Sequence, residues 1–530
     1  MGADSFFYCL CYQYKDGDTV QKNMSNLAEA KKRLILNVST NILQIFMFSV
    51  VMLWLTPFLI SKLGVALYGM VPLVTSITRY FGLLTLAISA TVGRFVVVNY
   101  AKGNYPACNR YFNTSLFVLG GASVVLVLVG LVISFFFADI FNVPEGHEFQ
   151  SGILFLSVVI STVVTAITSS FLVSTLIKHR FDLQNISKIA GKLLQVVFIV
   201  SCFYLLKPEL GYVGISYLAM ALCILAFSMF FTKKLTPEFK LSINDYSKTA
   251  LTDMLGMGIW TTINQLGALL YLSIDMVVIN VFLGATQCGR YAPVLQWLIL
   301  LQMLGGAISG VLTPIFYELI GKGDIDQLIR QLRKSLRFMA ALMLLPISLL
   351  CGFSKPLLTC WLGNDFAEFH LLMWILIAPA AVNMIIMPAF AIFRGMNRVK
   401  LPAIMTIIGG VLNVILSSIL VNTSLGIYGV AISTMICLLA KNLIFTPIYS
   451  GKILDSSKLI LYGPITKSVL MFSVFAVVCY SVSCNYDLTS YFRLISVGAI
   501  MAVIYLPFAF LFILNRQDRS FLVSLIRFKS

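Results

Sequence analysis

Arg79 and Asp275 are the side chains in this sequence with most scope for chemistry, because each lies well inside a long apolar run. An ionised group in such a place is costly and normally faces a cavity or a partner. A guanidinium there can grip an anionic group through parallel N–H donors, and a carboxylate can take up a proton or a small cation. Arg79 lies nine residues, and Asp275 eight, from the outer ends of their runs. At roughly 1.5 Å per residue both are about 13 Å deep, so the two are expected to oppose each other across a cleft. A static ion pair that fixes helix packing is the alternative. Arg94 lies nearer the inner end of its run, where it can serve an anionic substrate or simply snorkel to the interface.

Neutral polar residues add a second pattern. Asn37, Asn41 and Gln44 follow i, i+4, i+7 spacing and share one helix face. Thr261 and Asn264 occupy the corresponding places in the seventh apolar run, and Gln296 and Gln302 add to the eighth. These residues are expected to line a polar cleft; hydrogen bonding between packed helices is the other reading. No catalytic set and no metal site are legible. His147, His179 and His370 are far apart, the eleven cysteines are scattered apart from Cys9 and Cys11, and no G-x-x-x-x-G-K-[ST] phosphate loop occurs. No cofactor is therefore expected, and Asp275 leaves coupling to a proton or sodium gradient open.

The elements that position these groups are apolar helices. The chain has 530 residues, 59% hydrophobic and 11% charged, against about 25% charged in soluble domains. Apolar runs long enough to cross a bilayer predict fourteen spans: Leu36–Ile60, Met70–Val98, Ser115–Phe137, Gly152–Ile177, Ile189–Leu206, Ile215–Phe231, Met254–Leu283, Tyr291–Phe316, Leu336–Phe353, Leu371–Phe393, Ala403–Val421, Ile427–Ile448, Ile465–Val482 and Leu494–Leu514. Polar Met1–Arg33 reads as a cytoplasmic tail before a signal anchor, not as a cleavable leader. With that tail inside, only Lys62, Lys207, Arg290, Lys355 and Arg493 of the 38 basic residues lie outside. This bias predicts a cytoplasmic-membrane protein with both termini in the cytoplasm. The net charge of +17 then lines the inner membrane rim, which excludes a nucleic-acid partner. Pro57, Pro72, Pro293, Pro314, Pro346, Pro379 and Pro388 are expected to kink or weaken their helices.

The chain also repeats itself. At an offset of 220, Gly64, Gly69, Lys102, Gly103, Arg110, Ser115 and Leu116 fall on Gly284, Gly289, Lys322, Gly323, Arg330, Ser335 and Leu336. At slightly shorter offsets Arg180, Gly191, Gly211 and Gly214 fall on Arg398, Gly409, Gly426 and Gly429. The fold class expected is all-α integral membrane, with about fourteen spans, two like-oriented six-helix repeats and two further helices. Parallel repeats of this kind are a transporter architecture with the site between the halves. The organisation expected is a cytoplasmic tail over 1–34, an N-lobe over 35–250, a C-lobe over 251–450, two helices over 451–514 and a C-terminal cytoplasmic tail over 515–530.

Leu63-Gly-Val-Ala-Leu-Tyr-Gly69, the corresponding stretch from Phe282 to Tyr291, Gly426-Ile-Tyr-Gly429 and the basic Lys31–Arg33 carry a resemblance. With the helix pattern over roughly Lys31 to Leu514, the chain resembles the Wzx-like polysaccharide-lipid flippases of the multidrug/oligosaccharidyl-lipid/polysaccharide exporter superfamily. The resemblance implies a V-shaped cavity lined by spans one, two, seven and eight. It also implies alternating-access transfer of a polyprenyl-pyrophosphate-linked oligosaccharide, for O-antigen of lipopolysaccharide, capsule or exopolysaccharide. Other polysaccharide-assembly membrane proteins are implied partners, besides the lipid bilayer. Arg79, Arg94, Asn41, Gln44, Asn264 and Gln296 would line the cavity. The polyprenyl tail would stay in lipid, against spans thirteen and fourteen by analogy with related lipid II flippases. One rival is a cation-coupled drug exporter of the same superfamily, disfavoured by arginines instead of acids in the first lobe. Another is a membrane glycan polymerase or glycosyltransferase, which would have to use Asp365, Glu368 and His370 in the largest external segment.

Overall fold

The computed structural model describes residues 20–520, which are almost wholly helical and contain no strand. The readings made for Cys9 and Cys11, for tail residues 1–19 and 521–530, and for the side chains of Lys31 and Thr261 lie outside the described residues. Fourteen helices among the described residues are long and apolar enough to cross a membrane. The first bundle holds α1 (Ile35–Leu63), α2 (Val65–Ala101), α3 (Tyr105–Phe135), α4 (Glu148–Ile177), α5 (Phe181–Leu205) and α6 (Leu210–Leu235). The second holds α7 (Thr262–Leu283), α8 (Ala285–Lys322), α9 (Ile325–Gly352), α10 (Asn364–Asn383), α11 (Lys400–Leu420) and α12 (Ile427–Ile453). Then follow α13 (Tyr462–Asn485), which packs on α9, and α14 (Tyr491–Ile513). Below, the apex is the end of the molecule at the α1–α2 turn, and the base is the opposite end.

Local chemistry at the ends of these helices repeats in the two bundles. Gly64 and Gly284 both turn the chain with positive φ, 80° and 85°, a region open to glycine at little cost. Gly103 and Gly323 both have φ 70°. Asn104 and Asp324, at the same offset, each cap the next helix: Asn104 Oδ1 accepts from Ala107 N (3.1 Å) and Asp324 Oδ1 from Gln327 N (2.9 Å). The repeat is therefore visible in backbone geometry as well as in residue type.

Several helices differ from their expected spans. Helix α2 begins at Val65 instead of Met70 and breaks at Ala90–Thr91 before resuming over Val92–Ala101. Helix α7 continues a helix that begins at Lys248, and it is interrupted at Ser273. Of the prolines expected to bend helices, Pro57, Pro72, Pro293, Pro314 and Pro346 sit inside continuous helices. The tenth span does break, into His370–Ile377, Ala380–Asn383 and Met387–Gly395, beside Pro379 and Pro388. A proline lacks the N–H that the preceding turn would bind.

Helix α2 joins the bundles by packing on both α7 and α8. At the apex the joint is backbone against backbone. A Cβ on Gly69 would collide with the carbonyl of Ala285, and one on Gly289 with the carbonyl of Val65. Val65 and Gly69 are the repeat equivalents of Ala285 and Gly289, so the seam is a nearly symmetric exchange. Polar contacts reinforce it. Gln296 Nε2 donates to Thr56 Oγ1 (2.8 Å) and Tyr68 Oη (3.0 Å), while Thr56 Oγ1 donates to Gln296 Oε1 (2.9 Å). Asn142 and Asn280 exchange bonds in both directions at 2.7–3.0 Å, and Trp361 Nε1 donates to Leu53 O (2.7 Å). Toward the base α2 stays sealed to α7, where Gly258 lies against the Ala87 backbone and Thr91 Oγ1 donates to Met254 O (3.2 Å). Helices α1 and α8 instead meet over few residues, and their flanks toward the base are exposed at Ile42, Phe46, Leu304 and Val311.

Gly289→Val forces this seam apart. Overpacking of this kind costs about 1–3 kcal/mol, enough to move a two-state equilibrium roughly 5- to 150-fold. A cysteine at Gln296 should then react faster with a polar thiol reagent supplied from the apex side. Unchanged labelling in Gly289→Val, with Gly306→Val as the control in open space, would show that the seam does not gate the apex.

Candidate functional site

Between the bundles, below the seam, lies a cavity of about 940 Å³, near the upper end of the range for sites that enclose drug-sized ligands. Its walls come from α1, α2, α4, α5, α6, α7 and α8. Two cations line it, Arg79 of α2 and Lys192 of α5, and no carboxylate does among the described residues. Arg79 is exposed to this space although it sits deep in the span. Its Nη1 reaches the Ser273 hydroxyl at 3.5 Å, the residue that interrupts α7. A helix interruption, a hydroxyl and a guanidinium thus meet at the interface.

The expected opposition of Arg79 and Asp275 is corrected by the structure. Asp275 is buried within the second bundle, turned away from the cavity. Tyr291 Oη donates to its Oδ2 (2.9 Å), Thr434 Oγ1 donates to the same oxygen (2.9 Å), and Asn413 Nδ2 donates to Oδ1 (3.3 Å). Ser433 Oγ donates in turn to Asn413 Oδ1 (2.8 Å). Helices α7, α8, α11 and α12 therefore converge on one carboxylate. Because α2 begins at Val65, Arg79 lies about 21 Å along it from the apex, against about 12 Å for Asp275 from the end of α7 at Leu283. The equal depths expected from the apolar runs were an effect of where the second run was taken to begin.

The neutral polar stripe is divided between roles. Asn37 is a clasp: its Nδ2 donates to His179 O (2.9 Å) and its Oδ1 accepts from Asp182 N (2.9 Å), fixing the α4–α5 turn on α1. Asn41 is exposed and Gln44 half-buried, both on α1 on the base side of the cavity wall, which starts at Phe48. Asn264 is exposed and off the wall; the adjoining Gln265 lines it instead. Gln296 and Gln302 line the cavity as expected, although the Gln296 amide is held in the seam. Arg94 follows the break in α2, is exposed and does not line the cavity. The external group is divided: Asp365 and Glu368 are exposed and line one pocket of about 420 Å³ with Arg290, while His370 is off that pocket with Nδ1 against Ala367 O (3.1 Å).

Two intramembrane lysines escaped the sequence reading. Lys192 lies near the start of the expected span from Ile189, but the helix itself starts at Phe181, which sets the lysine well inside it. Its i, i+4 spacing from Lys188 was the available signal. Lys441 sits where α12 loosens into a π-helical turn, Ala440–Phe445. Its ammonium lies over the rings of Tyr271 (5.7 Å) and Phe390 (5.6 Å), inside the second bundle.

This fold is shared with solved membrane transporters. It aligns with the lipid II flippase MurJ in an inward closed conformation over 89% of this chain and 98% of that one, with TM-score 0.62 and 13% identity. It aligns with an inward-facing multidrug resistance MATE family transporter of the MOP superfamily over 79% and 98%, with TM-score 0.61 and 17% identity. Residues 32–320 match the family described as polysaccharide biosynthesis protein. The chain is 30% identical over 506 residues to EpsK of Bacillus subtilis (strain 168), an uncharacterized membrane protein, covering 93% of this chain and 98% of that one. The chain is a multi-pass membrane protein of the polysaccharide biosynthesis protein family.

Arg79 and Asp275 share no partner, so their effects should be independent. The losses of unfolding free energy of Arg79→Gln and Asp275→Asn, measured by denaturation in detergent, should add in the double variant within the roughly 0.3–0.5 kcal/mol typical of separate sites. A clear departure from additivity would restore the ion pair.

Proposed function

We propose that this chain is a flippase for polyprenyl-pyrophosphate-linked saccharide units, carrying them across the cytoplasmic membrane by alternating access. The observation that carries this reading is the cavity, which among the described residues is lined by two cations and no carboxylate and is bounded by the seam at the apex. An anionic lipid headgroup needs such a wall to leave water, since a buried phosphate is held by charge-assisted N–H donors. Membership of a polysaccharide biosynthesis family and a fold shared with a lipid II flippase support the same class of substrate. The bias of basic residues places the base in the cytoplasm, with both termini there. The headgroup enters from the base, along the exposed flanks of α1 and α8, and the polyprenyl tail remains in lipid.

Movement needs a second input, which we assign to Asp275. Its carboxylate ties α7, α8, α11 and α12 together through Tyr291, Asn413 and Thr434. Uptake or loss of a proton or sodium ion there changes the packing of the four helices that form the C-terminal wall. No covalent step is required, and Asp365, Glu368 and His370 have no role in this mechanism. A drug exporter of similar fold remains the competing reading, since MATE transporters align as well as MurJ does.

In a strain whose own saccharide flippase is deleted, this chain should restore glycan at the cell surface. Arg79→Gln should lower that export about 10-fold or more, as expected for loss of a charge-assisted contact, and lipid-linked units should accumulate on the cytoplasmic side. Asp275→Asn should abolish the dependence on an ion gradient, and Asp365→Asn with Glu368→Gln should leave export unchanged. Drug resistance without glycan export would favour the competing reading.

A further inference from the structure

Lys192 is an intramembrane lysine without a carboxylate partner among the described residues. Its Nζ donates to Gln195 Oε1 (2.7 Å) and lies 5.9 Å from the centre of the Phe48 ring. Gln195 is itself buried, and its Nε2 reaches Ser216 Oγ at 3.5 Å, so the lysine is held by a fixed amide on α5 and a ring on α1. Neither neighbour neutralises the charge. A membrane-embedded ammonium in this condition points by default to a functional site.

Its position relative to Arg79 is informative. Lys192 lies about 20 Å along α5 from the apex end at Leu205, and Arg79 about 21 Å along α2 from Val65. The two cations therefore reach the cavity at one level, and both come from the first bundle. Among the described residues the second bundle contributes no charge to the wall; Gln265, Ser273, Gln296 and Gln302 are its polar lining residues. One wall thus offers two positive charges at a similar depth, and the facing wall offers amides and a hydroxyl. A diphosphate ester has two adjacent anionic groups. The planar fork of an arginine suits one of them, and the compact ammonium of a lysine suits the other. Amides suit the hydroxyls of a sugar.

We propose that Arg79 and Lys192 together form a diphosphate seat on the first bundle, and that Lys192 selects diphosphate-linked over monophosphate-linked lipids. The saccharide lies against the glutamines of α7 and α8. This assignment rests on the flippase reading and deepens it. The seat belongs to one bundle, so the headgroup can dock before the bundles move. Lys192 then leaves Gln195 and Phe48 for the phosphate, which loosens α1 from α5 at Phe48.

The test uses the full chain in proteoliposomes containing two fluorescent short-chain polyprenyl lipids, one with a diphosphate-linked and one with a monophosphate-linked N-acetylglucosamine. Loss of fluorescence to an impermeant quencher reports translocation. The wild-type chain should favour the diphosphate lipid. Lys192→Gln should lower its transport about 10-fold or more while changing the monophosphate lipid less than about two-fold, so that the preference collapses. Lys192→Arg should keep the preference, and Lys188→Gln, one turn toward the base and off the cavity wall, should behave as wild type. A uniform loss for both lipids in Lys192→Gln, or an unchanged preference, would overturn the assignment while leaving the flippase reading intact. Failure of the wild-type chain to move either lipid would overturn the reading on which the assignment rests.

Discussion

The arrangement depends on one close contact, the crossing of Val65–Gly69 with Ala285–Gly289 at the apex. No side chain separates the two backbones there. That approach fixes α2 and α8 together at one end and leaves the space below them unfilled. Because the contact is built from equivalent residues of a duplicated unit, each bundle presents to the other the surface it receives. Asn142 with Asn280, and Gln296 with Thr56 and Tyr68, then satisfy polar groups that the close approach would otherwise strand. These bonds are few and local to the apex.

Below the seam the two bundles solve the problem of charge in opposite ways. The second bundle buries Asp275 and surrounds it with hydroxyl and amide donors from three other helices, so the carboxylate is satisfied where it stands. The first bundle leaves Arg79 and Lys192 facing open space, with a hydroxyl, an amide and a ring for company. A charge of the first kind holds a structure together and responds to small ions. Charges of the second kind are incompletely compensated and favour an anion that comes from outside. The duplicated frame thus carries functions that are not duplicated: Arg79 corresponds to Ile299, and Asp275 to Leu55.

Helix α2 connects these features. It carries Gly69 at the apex, Arg79 at mid-depth and Thr91 near the base, and it packs on both helices of the opposite wall. Its counterpart contact, between α1 and α8, is confined by the exposed flanks toward the base. Helix α2 thus packs along both helices of the opposite wall, whereas α1 meets α8 over few residues. A lipid whose headgroup occupies the cavity can keep its chain in the bilayer only if one side of the cavity is open.

The number of helices, the duplication and the presence of Arg79 in a polar cleft follow from the sequence alone. Apolar runs of bilayer length must become helices, and an arginine within one must find water or an anion. The repeat was equally legible, since Gly64, Gly103 and their equivalents are required by backbone conformation and do not depend on neighbours. What each charge faces was decided only by the tertiary structure. A helix turns about 100° per residue, so the exchange of Asn264 for Gln265 on the wall depends on how α7 is rotated about its break at Ser273. Depth depends on where a helix begins, and helices α2 and α5 extend past their apolar runs because neighbouring helices shelter the extra turns. Five residues at the start of α2 separated Arg79 from Asp275, and eight at the start of α5 turned Lys192 from a rim charge into a lining one. Periodicity specifies a face and length specifies a span, but only packing specifies which faces meet.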